Sequence, residues 1–152
     1  MFVELSATSN FTFLTGASHP EELMAEAAAF GQEALAIADL NSVAGIVRAH
    51  VAAREIRRKT GTAPRLLPAA LIRLTGGFTA TALPRDRAGW GRLCRLISVG
   101  RLRAPKGDCD LGFDDLLEWC EGVTLLLHPP EETAPDGWLA RARQLARRPG
   151  AD

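Results

Sequence analysis

A chain of 152 residues, 47% hydrophobic and 24% charged, has apolar material for one ordinary core and not for two, so a single domain or part of one is expected. Residues 1–10 lack the basic start and apolar run of a secretory leader, and no stretch reaches the roughly 20 apolar residues of a membrane span, which leaves the cytoplasm as the expected compartment. Eighteen bases balance eighteen acids but are unevenly spread: residues 1–47 carry six acids and no Lys or Arg, residues 48–106 fourteen bases against Glu55 and Asp86, and residues 107–152 ten acids against four Arg.

Val3 and Leu5 alternate with polar neighbours and predict a first strand. Residues 10–16 follow as a loop whose Phe11, Phe13 and Leu14 make it too apolar to be filled by solvent. Ser18-His19-Pro20-Glu21 reads as a capping box with proline in the first turn, opening a helix with Leu23, Ala27 and Phe30 on one face and Gly31 at its end. Ala34 to Ala38 is a short buried strand. Asn41 or Ser42 caps the next helix, which turns Val43, Val47, Val51 and Ile56 inward and packs His50 beside that stripe. Its carboxyl end carries Arg54, Arg57, Arg58 and Lys59, where the helix dipole favours cations, and Gly61 and Pro64 stop it.

Gly76-Gly77 supplies the positive φ angles of a tight hairpin between strands at 65–74 and 78–83, the one antiparallel pair expected. From Asp86 the spacing of Trp90, Leu93, Leu96 and Ile97 predicts a helix with Arg92 and Arg95 on its outer face. A mobile loop at 100–112 follows, bearing Arg101, Arg103 and Lys106. Asp114 begins a short helix through Leu117 and Cys120, an apolar strand runs from Val123 to Leu127, and a last helix spans Gly137 to Arg148 before Pro149 and Gly150. Strands alternating with helices predict an α/β fold with mostly parallel strands and one hairpin near Gly76-Gly77.

In such a fold the carboxyl ends of the strands hold the chemistry, which places Ser6, Thr8, Asp39 and Asn41 at the mouth. Little there is reactive. Glycine patterns for dinucleotides or phosphates, a serine elbow and an HExxH pair are all missing, and nothing in the spacing sets His19, His50 or His128 beside Ser6 or Ser9 as a base. Cys94, Cys109 and Cys120 are odd in number, without CxxC spacing, and read as reduced thiols. Metal-assisted hydrolysis is the serious enzymatic alternative, yet it needs many imidazoles and carboxylates converging at ~2.0–2.2 Å on the ions. Ser6 and Thr8 offer neutral hydroxyls and Leu40 only hydrocarbon. Asp39 reads either as a helix cap or as a ligand, and His128 either as a turn residue bonding a backbone carbonyl or as a ligand. The strip of Arg92, Arg95, Arg101, Arg103 and Lys106 either pairs with the acidic flanks or meets nucleic-acid phosphates.

The segments ELSATSNFTFLTGASHPEEL, ALAIADLNSVAGIVRAHVAARE, RLLPAALIRLTGG and PRDRAGWGRLCRLISVGRLRAPKG, taken together, resemble the N-terminal PHP (polymerase and histidinol phosphatase) domain of bacterial C-family DNA polymerases, the DNA polymerase III alpha subunit-like group. Within that group the likeness is to the error-prone branch used in damage tolerance, and it covers nearly the whole chain. It implies a partial PHP-type (β/α) barrel, with residues 1–152 a single truncated domain making the first half of the barrel or somewhat more. Active members carry an HxH pair where this sequence has Ser6 and Thr8, Asp-His where it has Asp39-Leu40, a glutamate at Leu71 and a further histidine at about Thr79. The resemblance therefore implies the fold with a degenerate metal site, no catalytic residue and no cofactor.

On this reading the chain is the scaffold portion of a translesion polymerase serving DNA repair and replication, whose catalytic aspartates lie in a palm region outside it. Its implied partners are the remainder of the polymerase chain, DNA through the parent protein, and a sliding clamp and damage-inducible accessory proteins through the parent. No membrane is involved, and an unpaired edge after the last strand favours self-association of the fragment. The rivals are a PHP-family metal-dependent phosphoesterase using Asp39 and His128, and a basic nucleic-acid or partner-binding module.

Overall fold

Strands and helices alternate along the computed structural model, which describes residues 2–130 and 137–148 and divides into two compact units between Leu71 and Ile72. The first unit holds β1 (Glu4–Ala7), α1 (Pro20–Ala29), β2 (Ala34–Leu40), α2 (Ile46–Thr60) and β3 (Arg65–Arg73), whose last two residues belong to the second unit. The second continues with β4 (Thr79–Pro84), α3 (Arg87–Arg103), α4 (Phe113–Trp119), β5 (Val123–His128) and α5 (Trp138–Ala146). Among the described residues no helix is long and apolar enough to cross a membrane. The terminating role expected of Pro149 and Gly150 falls outside the described residues.

In the first unit β2 lies between β1 and β3 and is parallel to both. Its run Ala34 to Asp39 is buried throughout, as a strand covered on both faces requires. The β2–β3 register is unbroken from Ala34 opposite Arg65 to Leu40 opposite Leu71, while β1 carries an irregularity between Glu4 and Ala7. Helices α1 and α2 pack on each other. The cap of α1 is His19, one residue beyond the predicted Ser18: its backbone N–H donates to Glu22 Oε2 at 2.7 Å.

The inward faces of α1 and α2 differ from expectation. On α1 the buried residues are Pro20, Met24 and Ala27, while Phe30 is 78% exposed. On α2 they are Ile46 and Ala49, leaving Val47 and Val51 outside and His50 exposed instead of packed. The buried sides are thus those carrying Met24 with Ala27 and Ile46 with Ala49, and not the sides that hold Phe30 or Val47 and Val51. Helix α2 also begins later than Asn41 or Ser42, with Gly45 as its cap, because Asn41 takes φ +44° and turns the chain away from a helical path.

In the second unit both Gly76 and Gly77 have positive φ, and the hairpin closes through Leu74 N–H to Phe78 O at 2.9 Å. A second antiparallel pair accompanies it, β4 against β5, with Thr79 opposite His128 and Pro84 opposite Val123. The hairpin reverses β4 alone; the connection through α3 and α4 then reverses the chain again, so β5 meets β4 head to tail. Leu93, Leu96 and Ile97 are buried on α3 as their spacing predicts, and Asp86 caps it, accepting from Gly89 N–H at 2.7 Å.

Helix α3 runs on to Arg103, through most of the basic stretch expected to be loop. Gly100 permits this: a Cβ there would stand 2.6 Å from Leu111, so only glycine lets residues 104–112 fold back on the helix. That connection is anchored, with Leu111 fully buried and its carbonyl accepting from Thr75 N–H at 2.8 Å. Helix α4 is capped by Gly112 instead of Asp114 and buries Leu116.

Candidate functional site

The carboxyl ends of β1, β2 and β3 form the mouth of the first unit, and the chemistry there centres on Asp39. This carboxylate is 1% exposed at the end of an otherwise apolar strand. Burying it requires hydrogen-bond donors, and the segment after β1 supplies them. Ser9 N–H and Thr12 Oγ1 each donate to Oδ1 at 2.9 Å, and the Ser9 hydroxyl straddles the two oxygens at 2.9 and 2.8 Å. Thr12 Oγ1 in turn accepts from Leu40 N–H at 2.9 Å, which ties the loop to the strand beside the carboxylate.

Two glycines make room for this clasp. A Cβ on Gly45 would lie 2.7 Å from Asp39 Oδ2 and 3.1 Å from Ser9 Oγ, and one on Gly16 would lie 2.0 Å from Ser9 O. Asp39 therefore faces inward on a shell of protein donors and backbone. It caps no helix, since α2 begins seven residues later behind Gly45. With Ser9 and Thr12 turned in, the loop turns its hydrocarbon out: Phe11, Phe13 and Leu14 are 41%, 84% and 91% exposed, the reverse of the expected apolar loop interior.

Leu40 and Leu71 are register partners at the ends of β2 and β3, and Leu71 O accepts from Asn41 N–H at 2.8 Å. Ser6 closes a short turn of its own strand, its N–H donating to Glu4 Oε1 at 2.7 Å, and Thr8 is half-buried just after β1. In the second unit His128 Nε2 lies 2.8 Å from Thr81 Oγ1, so its partner is a side-chain hydroxyl on β4 where a backbone carbonyl was one expectation. Thr79 stands opposite His128 across the same pair of strands. Among the described residues no three of His, Cys, Asp and Glu come together as a metal-holding group.

The basic strip does not form one free face. Arg103 makes a two-pronged pair with Asp115 at 2.8 and 2.9 Å, Arg92 pairs with Glu121 at 3.2 Å, and Arg95 sits over the Trp119 ring at 5.8 Å. Arg101 donates to Gly107 O at 3.3 Å, and Lys106 is exposed in the connection beyond α3. The bond and charge of Arg103 lower the Asp115 pKa, outweighing the rise from its desolvation. Cys94, Cys109 and Cys120 are free thiols, and burial raises the pKa of the first two. They have the character of core residues, not of reactive thiolates.

The sequence reading missed Ser9, Thr12, Gly16 and Gly45. A signal was available: an aspartate closing a buried apolar strand must find donors, and SATSNFT is the hydroxyl-rich segment next to it in the sheet.

With this geometry in place, comparison with known proteins is informative. The PHP domain model matches residues 4–144. The chain belongs to the PHP domain family. This PHP domain is 40% identical to an error-prone DNA polymerase of Ruegeria pomeroyi, across 97% of the chain and 16% of that relative. It is 45% identical to the error-prone DNA polymerase of Rhodopseudomonas palustris (85% of the chain, 12% of the relative) and 47% to that of Sinorhizobium medicae (84% and 11%). It thus spans only a small part of these relatives. Among solved structures, a proposed metal-dependent phosphoesterase from Bifidobacterium adolescentis matches with a TM-score of 0.50 at 23% identity, over 66% of this chain and 34% of the other. That likeness bears on the fold, and with the parallel strands and hairpin it makes the PHP domain a partial PHP-type (β/α) barrel.

A divalent ion wants several anionic or imidazole ligands pointed at one spot. Among the described residues the strand ends of this mouth carry Ser6, Thr8, Leu40 and Leu71, and the Asp39 carboxylate accepts from Ser9 and Thr12.

Proposed function

We propose that this chain is the PHP portion of an error-prone DNA polymerase and acts there as a structural element, its metal site replaced by a hydrogen-bonded clasp. The observation that carries the reading is the orientation of Asp39. The Asp39 carboxylate at the mouth of the first unit is turned into the Ser9–Thr12 loop, and the adjoining ends of β2 and β3 carry Leu40 and Leu71. Ser6, Thr8, Asp39, Leu40 and Leu71, with Thr79 on the hairpin, are on this reading the degenerate ligand positions, and His128 serves Thr81.

Error-prone DNA polymerases at 40–47% identity support the parent assignment. The parent's activity would be nucleotidyl transfer in the cytoplasm during repair and replication, carried by residues outside this chain. The remainder of the polymerase would be the direct partner of this one, and DNA, a sliding clamp and damage-inducible accessory proteins would be reached through that parent. A DNA-binding role for Arg92, Arg95 and Arg103 is disfavoured by the intrachain partners each already holds.

The reading is tested by titrating the purified chain with manganese and with zinc while following thermal unfolding. A ligand that binds only the folded state raises the melting temperature by mass action. No rise is expected up to millimolar metal. A rise of several degrees at micromolar metal, lost in Asp39→Asn, would overturn it.

A further inference from the structure

Val47 and Val51 lie outward on α2 at 70% and 48% exposure, and Arg54 and Arg58 continue the same ridge at helical spacing. A shallow groove of about 390 Å³ is lined by Val51, Arg54, Glu55 and Arg58. Beside it Arg48 lies over the Phe11 ring at 6.0 Å while pairing with Glu21, which joins the ridge to the 41% exposed Phe11 of the clasped loop. Neither Arg54 nor Arg58 has an ion-pair partner among the described residues. Valine is a poor choice for a solvated helix surface: it is β-branched, and its exposure contributes nothing to folding.

From this juxtaposition we infer that the outer face of α2 is a docking surface for an acidic amphipathic segment of another protein, its apolar residues seated on Val47, Val51 and Phe11 and its carboxylates on Arg54 and Arg58. Charge complementarity sets the sign of the partner, since residues 46–60 hold five bases against the single Glu55. The valines decide its class. A phosphate backbone would gain from the arginines but has nothing to lay on exposed valine, whereas an amphipathic helix in a groove uses both.

The test measures fluorescence anisotropy of a labelled helical peptide of alternating Leu/Glu faces against the full chain. A sequence-scrambled peptide of the same composition and a labelled DNA duplex are run beside it. Binding of the amphipathic peptide above the scrambled one is expected, weakening as salt rises. Val47→Ser with Val51→Ser should weaken it ~10-fold or more, and Arg54→Glu with Arg58→Glu should do the same. All four sites are on the exposed face, and unchanged melting of each variant confirms intact folding. The inference falls if the amphipathic peptide does not bind, if binding survives both double variants, or if the duplex binds more tightly. Concentration-dependent dimerisation abolished by the same variants would likewise overturn it in favour of a second copy.

Discussion

Asp39 in the first unit and Asp115 in the second hold their places by opposite means. Asp39 is buried and held by an amide and two hydroxyls, all neutral; Asp115 is partly exposed and held by the Arg103 guanidinium and by Gly112 N–H. Neutral donors cost little to desolvate and are effective where water is excluded. An arginine pair is dispensable where water competes. The two carboxylates should therefore respond very differently to mutation and to salt.

Removing the buried carboxylate should have the largest effect. In Asp39→Ala three donors lose their acceptor without access to water, a loss of about 3 kcal/mol by the usual cost of orphaned buried groups. That corresponds to a melting temperature lower by roughly 6–12 °C in a chain of this size. Asp39→Asn, which keeps one carbonyl acceptor, should fall about half as far. If both variants melt like the parent, the clasp is not structural.

Gly16→Ala comes next. Its Cβ would meet Ser9 O at 2.0 Å, a contact relieved only by moving the backbone of the clasp, at roughly 2 kcal/mol. Chemical denaturation of this variant beside Gly91→Ala, where an added Cβ meets nothing within 4 Å, isolates the steric effect. Thr12→Val keeps the shape and deletes the hydroxyl that both donates to Asp39 and accepts from Leu40 N–H, and should cost roughly 1–2 kcal/mol. Combined with Asp39→Ala the two losses should fall short of additive, because they share one interaction.

The smallest effect belongs to Asp115, and it is a matter of pH. Its pKa is lowered in the folded state by Arg103, so its contribution is fully present above the unfolded carboxylate pKa of about 4 and disappears as pH falls through the folded value. Asp115→Asn should be slightly less stable than the parent at pH 7, and the gap should close below pH 4 and shrink in 1 M salt. A gap that stays constant across this range would mean that packing, and not charge, is what the substitution disturbs.

Strand positions and turn chemistry were legible in the sequence because they rest on local rules. The buried run at Ala34, the paired glycines at 76 and 77 and the Asp86 cap each need only their immediate neighbours. Which side of a helix faces inward was less so. Counting hydrocarbon favoured Val47 and Val51 on α2, whereas Ile46 and Ala49 are the residues buried, and which side of a helix is covered depends on the segments that pack against it. The aromatic loop misled for a related reason: three large apolar residues outweigh two hydroxyls in any tally, but a single buried charge forced Ser9 and Thr12 inward. The clasp was not readable from local rules, since it joins residues 27 and 30 positions apart.

That separation has a consequence for biogenesis. While the chain is being synthesised, Ser9 and Thr12 leave the ribosome well before the residue that will engage them, and the loop carrying Phe13 and Leu14 has no internal reason to close until β2 has emerged beside β1. Closure of the Ser9–Thr12 loop therefore waits on β2, and the aromatic side chains that the loop carries face solvent even after it has latched.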